Sequence, residues 1–150
     1  MSIGGVYWLC KKRTESVRVK EGFVLDAEFQ KHFEQNKVAV VATDKMGQIT
    51  LANELFCELT GYSLEQLKCF CYQDITPERW TVFENSKVTR EVFNSGYAKY
   101  QKEYIDANGS TYPIELEVYL LREDDGTPTG MWAKVTKLEK LQVNVDDVLL

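Results

Sequence analysis

The chain of 150 residues has one histidine, three prolines, four cysteines and no apolar run near the roughly 20 residues that cross a bilayer. A single histidine disfavours histidine-dependent catalysis and multi-histidine metal centres. Positive charge is also scarce, because 18 Lys and Arg face 23 Asp and Glu, for a net charge of −5. Since phosphate contacts need clustered positive charge, we do not expect direct binding to nucleic acid. We expect one cytoplasmic domain without membrane contact.

The cysteines do not suggest a disulfide scaffold or a metal site. Only Cys69 and Cys71 are close, and this C-x-C pair has no second Cys/His pair downstream. We expect reduced thiols and no bound metal. A redox role for this pair stays open, because it depends on thiol pKa values that a sequence does not provide.

The N-terminal part divides into an extension and a helix. Residues 1–25 form the extension, whose alternation at 17–20 suits a strand or hairpin. Asp26 is a suitable N-cap for a helix in which Phe29 and Phe33 share one face. We therefore expect a domain at 26–137 that includes this helix.

Two strands, three or four short helices and a three-strand meander are predicted downstream. A strand from Val38 returns after a turn at 44–47, and Asn53 caps the next helix. A long helix capped by Thr76 is predicted to run to Gly96. Asn108-Gly109 then marks a hairpin. Segregated strands and helices indicate an α+β domain with an antiparallel sheet, and residues 138–150 are a tail or a linker.

Four segments, in this order, resemble the PAS domain family. They are Thr43-Asp44 with Gly47, Ile49 and Asn53; Leu59–Leu67, which contains Thr-Gly-Tyr-Ser; Asp74–Glu78; and Glu103–Ser110 with Pro113-Ile114-Glu115. The match extends over roughly residues 27–137. One departure is the end of the last strand, where many PAS domains have Asp-Ile-Thr and this chain has Val135–Leu138. A salt-bridge output mechanism is therefore not carried over.

The resemblance implies a PAS-like five-stranded antiparallel sheet with short helices packed on one face and an N-terminal helical extension. Its opposite face commonly docks an N-terminal helix and a second protomer. We expect Tyr119, Leu121, Trp132, Ala39 and Val41 to point away from the face of Leu116, Leu120, Val40 and Ala42. The predicted homodimer interface consists of Phe29, Phe33, Tyr119, Leu121 and Trp132.

Haem and flavin are not expected as cofactors, and the cofactor stays unknown. The long helix has no histidine to ligate haem, and His32 lies outside the pocket region. Cys69 and Cys71 lack the Asn before and the Arg after that accompany the reactive cysteine of flavin photosensors in this family.

An apolar or aromatic ligand could bind between the helices and the sheet, although the same side chains could instead form a filled core. The candidate ligand-binding residues are Phe56, Leu59, Tyr62, Trp80, Phe83, Tyr104, Leu116 and Met131.

The sequence thus indicates a sensory or protein-interaction module of a regulatory or two-component signalling protein, without catalytic residues. It would form homodimers and act on an effector domain or protein partner, with or without a small-molecule ligand. One alternative is a small redox or hydrolytic enzyme using Cys69/Cys71 or Glu115/Glu117; another is a ligand-free structural dimerisation module.

Overall fold

A computed structural model describes residues 26–144, so the strand or hairpin predicted within residues 1–25 lies outside the described residues. The predicted order of two strands, short helices and three strands is confirmed. The elements are α1 (Ala27–Gln35), β1 (Ala39–Asp44), β2 (Ile49–Ala52), α2 (Glu54–Thr60), α3 (Leu64–Leu67), a 3₁₀ turn (Tyr72–Ile75), a long helix from Glu78 to Ser95, β3 (Tyr97–Ile105), β4 (Thr111–Arg122) and β5 (Pro128–Lys137).

The strands form one antiparallel sheet in the order β2-β1-β5-β4-β3. Strands β3, β4 and β5 are a meander, and Gly109 lies in its first turn, where its N–H donates to Asp106. Strand β5 then pairs with β1, with Ala39 opposite Val135. The predicted α+β fold with a five-stranded antiparallel sheet is confirmed.

Polar side chains fix where the short helices begin. The Asn53 Oδ1 atom accepts from the backbone N–H groups of both Phe56 and Val40, at 3.0 Å each. Asn53 therefore caps α2 and ties that helix to β1. Ser63 and Gln66 form a reciprocal capping box on α3. These caps hold the helices over one face of the sheet.

The long helix is continuous, but its winding changes along its length. It consists of a 3₁₀ turn (Glu78–Trp80), α4 (Thr81–Phe83), a π-helical segment (Glu84–Val88) and α5 (Thr89–Ser95). The prediction that Thr76 caps this helix is wrong. Its hydroxyl instead donates backwards to the Tyr72 carbonyl at 2.8 Å, and Pro77 takes the position before the first turn.

The two sheet faces carry separate clusters of buried apolar side chains. The prediction of which β1 side chains point to which face is wrong, because the two sets are reversed. Ala39 and Val41 belong to the cluster under the helices, whereas Val40 and Ala42 belong to the outer cluster. Register explains the correction, because directly opposed residues of neighbouring strands share a face. Ala42 lies opposite Trp132, which points outward.

Helix α1 covers the outer face of the sheet. Phe29 is fully buried, and its ring centroid lies 5.5 Å from that of Trp132 and 5.8 Å from that of Phe33. Asp26 caps the helix as predicted, accepting from the Phe29 N–H at 3.0 Å. The described part of the chain is therefore layered as helix, sheet and helices.

Candidate functional site

A cavity lies between the long helix and the sheet. About 50 Å³ of it is open to the centres of water-sized molecules. Its apolar walls come from β1, β4, β5 and the π-helical segment, through Val41, Val88, Leu116, Val118, Met131 and Ala133. The polar and aromatic residues of the wall include Thr43, Tyr72, Glu84, Thr89, Tyr100, Lys102 and Tyr104.

A buried ion pair joins the long helix to β3 at this cavity. The Lys102 Nζ atom lies 2.6 Å from Glu84 Oε2, and the two side chains are 1% and 2% exposed. Lys102 also donates to the Thr76 hydroxyl at 2.8 Å. The Tyr100 hydroxyl donates to the same Oε2 atom of Glu84. Thr76 therefore faces Lys102 and completes a polar network inside an apolar core.

Burial shifts the acid–base behaviour of this network. It lowers the pKa of Lys102, although the charge and hydrogen bond of Glu84 oppose that change. Burial raises the pKa of Tyr100 well above its ordinary value, and Glu84 raises it further. The pKa of Tyr104 rises well above its ordinary value for the same two reasons. The tyrosines thus hold their protons while Lys102 holds its proton less firmly.

Two buried oxygen atoms of the cavity wall have no hydrogen-bond partner among residues 26–144. They are Oε1 of Glu84 and Oγ1 of Thr43. An unpaired buried polar atom costs about 1–3 kcal/mol, and more when it is charged. A small molecule that paired with these atoms would therefore be stabilised here.

Of the eight predicted ligand-binding residues, three line this cavity: Tyr104, Leu116 and Met131. Phe56 and Trp80 are fully buried in the surrounding core. Whether any of the eight contacts a ligand stays a prediction.

Three more of the predicted residues pack against the helix-side core without lining the cavity. Phe83 packs between Trp80 and Tyr100. The Leu59 carbonyl accepts from the Tyr112 hydroxyl at 2.7 Å, and Tyr62 packs edge-on against Phe70.

Sequence reasoning missed Glu84 and Lys102, although each follows a recognisable periodicity. Glu84 lies four residues after Trp80 and four before Val88 in the apolar stripe of the long helix. Lys102 shares the inward-facing parity of Tyr104 on β3. Charged residues at such positions are candidates for a buried pair.

The predicted dimer residues are largely covered by the chain itself. Phe29, Leu121 and Trp132 are buried beneath or within α1, whereas Phe33 and Tyr119 are only partly buried. No finding tests the homodimer, which stays a prediction.

The residues considered for catalysis or ligation lie outside the cavity. Cys69 is buried, and Glu117 accepts from the Tyr119 hydroxyl at 3.1 Å on the other face of the sheet. The His32 ring lies 6.0 Å from that of Trp132 on that face. Among residues 26–144, no cluster of three metal-ligating side chains occurs. In the same range, no helix has the length and apolarity to span a bilayer.

The chain is similar to known signalling proteins. It is 25% identical over 133 residues to a probable diguanylate cyclase, DgcE, of Escherichia coli; the match covers 87% of this chain and 12% of that protein. A solved PAS domain from Colwellia psychrerythraea superimposes with a TM-score of 0.69 at 22% identity, covering 75% of this chain and 95% of the other.

A PAS domain from a two-component sensor histidine kinase gives a TM-score of 0.60 at 21% identity, with 74% of this chain and 96% of the other covered. A sequence model described as a PAS domain matches residues 37–134. PAS domains are in general sensory modules of signalling proteins rather than catalysts, and they commonly dimerise and link to effector domains. This chain belongs to the PAS domain family.

Proposed function

We propose that this PAS domain is a sensor that responds to a small molecule bound in the cavity between the long helix and the sheet. The observation that carries the proposal is Glu84, a buried carboxylate in the cavity wall with one oxygen atom unpartnered among the described residues. A core that served packing alone would more simply have an apolar residue at this position, because burying charge is costly.

The position of Glu84 supports transmission of the signal. Glu84 begins the π-helical segment, a type of distortion frequent at functional sites. Its partner Lys102 is on β3, which pairs with β4. A ligand that changed the hydrogen bonding of Glu84 would therefore act on both the helix and the sheet.

The cavity size supports a small ligand rather than a large cofactor. Pockets for drug-sized ligands and cofactors are usually several hundred Å³ in volume, whereas this cavity offers about 50 Å³ to the centres of water-sized molecules. Neither haem nor flavin matches this space without rearrangement of the core. The proposed ligand is a small metabolite.

Hydrogen exchange of the full chain during a screen of small metabolites tests the sensor proposal. A bound ligand should slow exchange across the long helix, from Glu78 to Ser95, because that helix forms one wall of the cavity. Ala133→Leu should fill the cavity and abolish the effect. Ala39→Leu is the matched control, since Ala39 faces the same side of the sheet but does not line the cavity. Failure of every small molecule to bind would overturn the proposal.

We also propose that two copies associate through the outer face beside α1. Tyr97 is 39% exposed, and its ring lies 5.1 Å from that of Tyr119, which stacks on Trp132 at 4.7 Å. These three aromatic rings are in contact one after another, and the last of them, Tyr97, is exposed rather than covered by α1. Phe33 lies in the same outer cluster and is only partly buried.

Sedimentation at increasing protein concentration tests the dimer. The mass should rise with concentration, and Phe33→Glu should shift association to higher concentration because it places a charge in the interface. Tyr62→Glu is a control on the opposite side of the sheet, where Tyr62 packs against the helix-side cluster. A strict monomer at high micromolar concentration would exclude this interface.

The proposal that this domain controls an effector rests on its similarity to signalling proteins. Similarity to a probable diguanylate cyclase and to a histidine-kinase PAS domain supports a role in controlling an effector domain or a separate partner protein. Coexpression with a candidate effector, in the presence and absence of the cavity-filling Ala133→Leu change, would test that role. Effector output that never depends on this domain would contradict it.

A further inference from the structure

One hydrogen-bond acceptor in the cavity wall, Oε1 of Glu84, has no donor among the described residues. Lys102 donates to Glu84 Oε2 and to Thr76, and its Nζ also lies 5.4 Å and 5.2 Å from the ring centroids of Tyr72 and Tyr104. The Tyr100 hydroxyl donates to Glu84 Oε2 as well. Both donors thus converge on one carboxylate oxygen and leave Oε1 without a partner among the described residues.

A second open group lies in the same wall. The Thr43 hydroxyl is buried, lines the cavity and is unpartnered among residues 26–144. A hydroxyl both donates and accepts. A molecule that carries both a donor and an acceptor, such as an amide or an alcohol, would offer a hydrogen-bond partner to each of Glu84 and Thr43.

The charge of the wall selects against ions. Among residues 26–144, Glu84 is the only acidic and Lys102 the only basic residue that lines the cavity, and they pair with each other. An anion or a cation entering this space would lose its hydration and find no unpaired opposite charge. An uncharged molecule avoids that cost.

The volume of the cavity limits the number of atoms that a ligand can have. A water-sized group needs about 10–15 Å³ of such space, and this cavity has about 50 Å³. The apolar walls from Val41, Leu116 and Met131 suit a ligand with one small hydrocarbon group. About four non-hydrogen atoms, or fewer, fit such a space.

We infer that the ligand of this cavity is a small, uncharged hydrogen-bond donor, of the primary-amide or alcohol class, which donates to Glu84 and pairs with Thr43. The inference rests on the proposed sensor function and specifies its ligand class. Water alone is the competing occupant, because it would also pair with both oxygen atoms.

Four probes of nearly equal shape separate these classes. Acetamide is a neutral donor, acetone lacks the donor, acetate is an anion and acetamidinium is a cation. Methyl signals of Leu116, Val118 and Met131 report cavity binding by NMR titration of the full chain. Acetamide should bind about tenfold more tightly than acetone, which cannot donate to Glu84. Acetate and acetamidinium should bind more weakly than acetamide.

Two Thr→Val variants test the contact without removing the ion pair. Thr43→Val should weaken acetamide binding about fivefold and preserve the fold, because the two side chains have nearly the same shape. Thr129→Val is the matched control, since its hydroxyl is also unpartnered and buried among the described residues but does not line the cavity. That variant should bind acetamide as the original chain does.

The outcomes are distinguishable from failure of the proposed function. Equal or tighter binding of acetone, acetate or acetamidinium would overturn the ligand class while leaving a ligand-binding cavity. Unchanged acetamide binding in Thr43→Val would overturn the predicted pairing. Absence of binding by all four probes would overturn the inference in favour of water, whereas the wider metabolite screen decides the sensor proposal.

Discussion

Lys102 and Glu84 meet 2.6 Å apart between β3 and the long helix, and solvent reaches almost none of either side chain. Such a pair costs desolvation energy when it forms, but removing one partner costs more, because the other charge then stays buried alone. The stability of this domain should therefore depend on both residues jointly.

Lys102→Met should lower the free energy of unfolding by about 3–5 kcal/mol. The double change Lys102→Met with Glu84→Leu should recover most of that loss, because no charge is left unpaired. Urea unfolding of the original chain, both single variants and the double variant gives a double-mutant cycle for this pair. Additive losses would show that the two residues do not stabilise each other.

Gly130→Ala should destabilise the sheet by about 3 kcal/mol or more. A Cβ atom at this position would lie 2.0 Å from the Thr43 carbonyl oxygen, and strand backbone cannot move aside as a flexible side chain can. Gly109→Ala is the comparison, because it meets no atom within 4 Å but has φ of 83°. We expect that variant to lose only about 1 kcal/mol, as thermal unfolding can verify.

Stability should fall between about pH 10 and pH 12. Burial raises the pKa of Tyr112 to about 12, and Asp106 adds to the rise. Burial together with Glu117 raises the pKa of Tyr119 to about 12. Because the folded state holds these protons more firmly than the unfolded state, the stabilisation is present below pH 10 and is lost as pH rises toward 12. The lowered pKa of Lys102 acts in the opposite sense only below pH 10.5.

Tyr112→Phe separates this effect from general alkaline unfolding. The variant should be less stable by about 1 kcal/mol at neutral pH, because the hydroxyl donates to the Leu59 carbonyl at 2.7 Å. Its stability should then decline less steeply above pH 10, in denaturant titrations at a series of pH values. An unchanged slope would contradict the role of Tyr112.

Phe29→Ala should uncover the outer face of the sheet. Phe29 is fully buried against Trp132, so its truncation should cost about 3–5 kcal/mol and shift indole emission to longer wavelength. Lys31→Ala, on the exposed side of the same helix, should change neither the free energy of unfolding nor the indole emission. Retained stability in Phe29→Ala would mean that α1 contributes little to the fold.

Local chemistry in the sequence predicted most of the fold. Asn53, Ser63 and Asp26 cap helices where expected, and Asn108-Gly109 turns the chain between β3 and β4. Each of these signals acts within a few residues, so no knowledge of distant contacts is needed to interpret it.

The side of the sheet to which each β1 side chain points could not be predicted in the same way. Residues 39–42 are all apolar and all buried, so the strand has no alternation from which to infer its faces. Only pairing with β5, which sets Ala42 opposite Trp132, decides the orientation. That pairing joins residues some ninety positions apart.

The buried pair escaped prediction for a related reason. Glu84 and Lys102 each look like surface residues when considered singly, since charged side chains are seldom buried alone. Their burial becomes understandable once the long helix lies against β3 and each charge neutralises the other. Inward-facing parity indicates the position of each residue but not its partner.

The side-by-side arrangement of the first and last strands has a mechanical consequence. Ala39, where β1 begins, lies opposite Val135 near the end of β5, so the chain enters β1 and leaves β5 at the same end of the sheet. A pulling force applied between these two points would open the β1–β5 hydrogen bonds one after another, as in unzipping, rather than load them all together. A modest separation of the segments attached at this end would thus act first on β1, which carries Thr43 of the cavity wall, and on β5, which carries Met131.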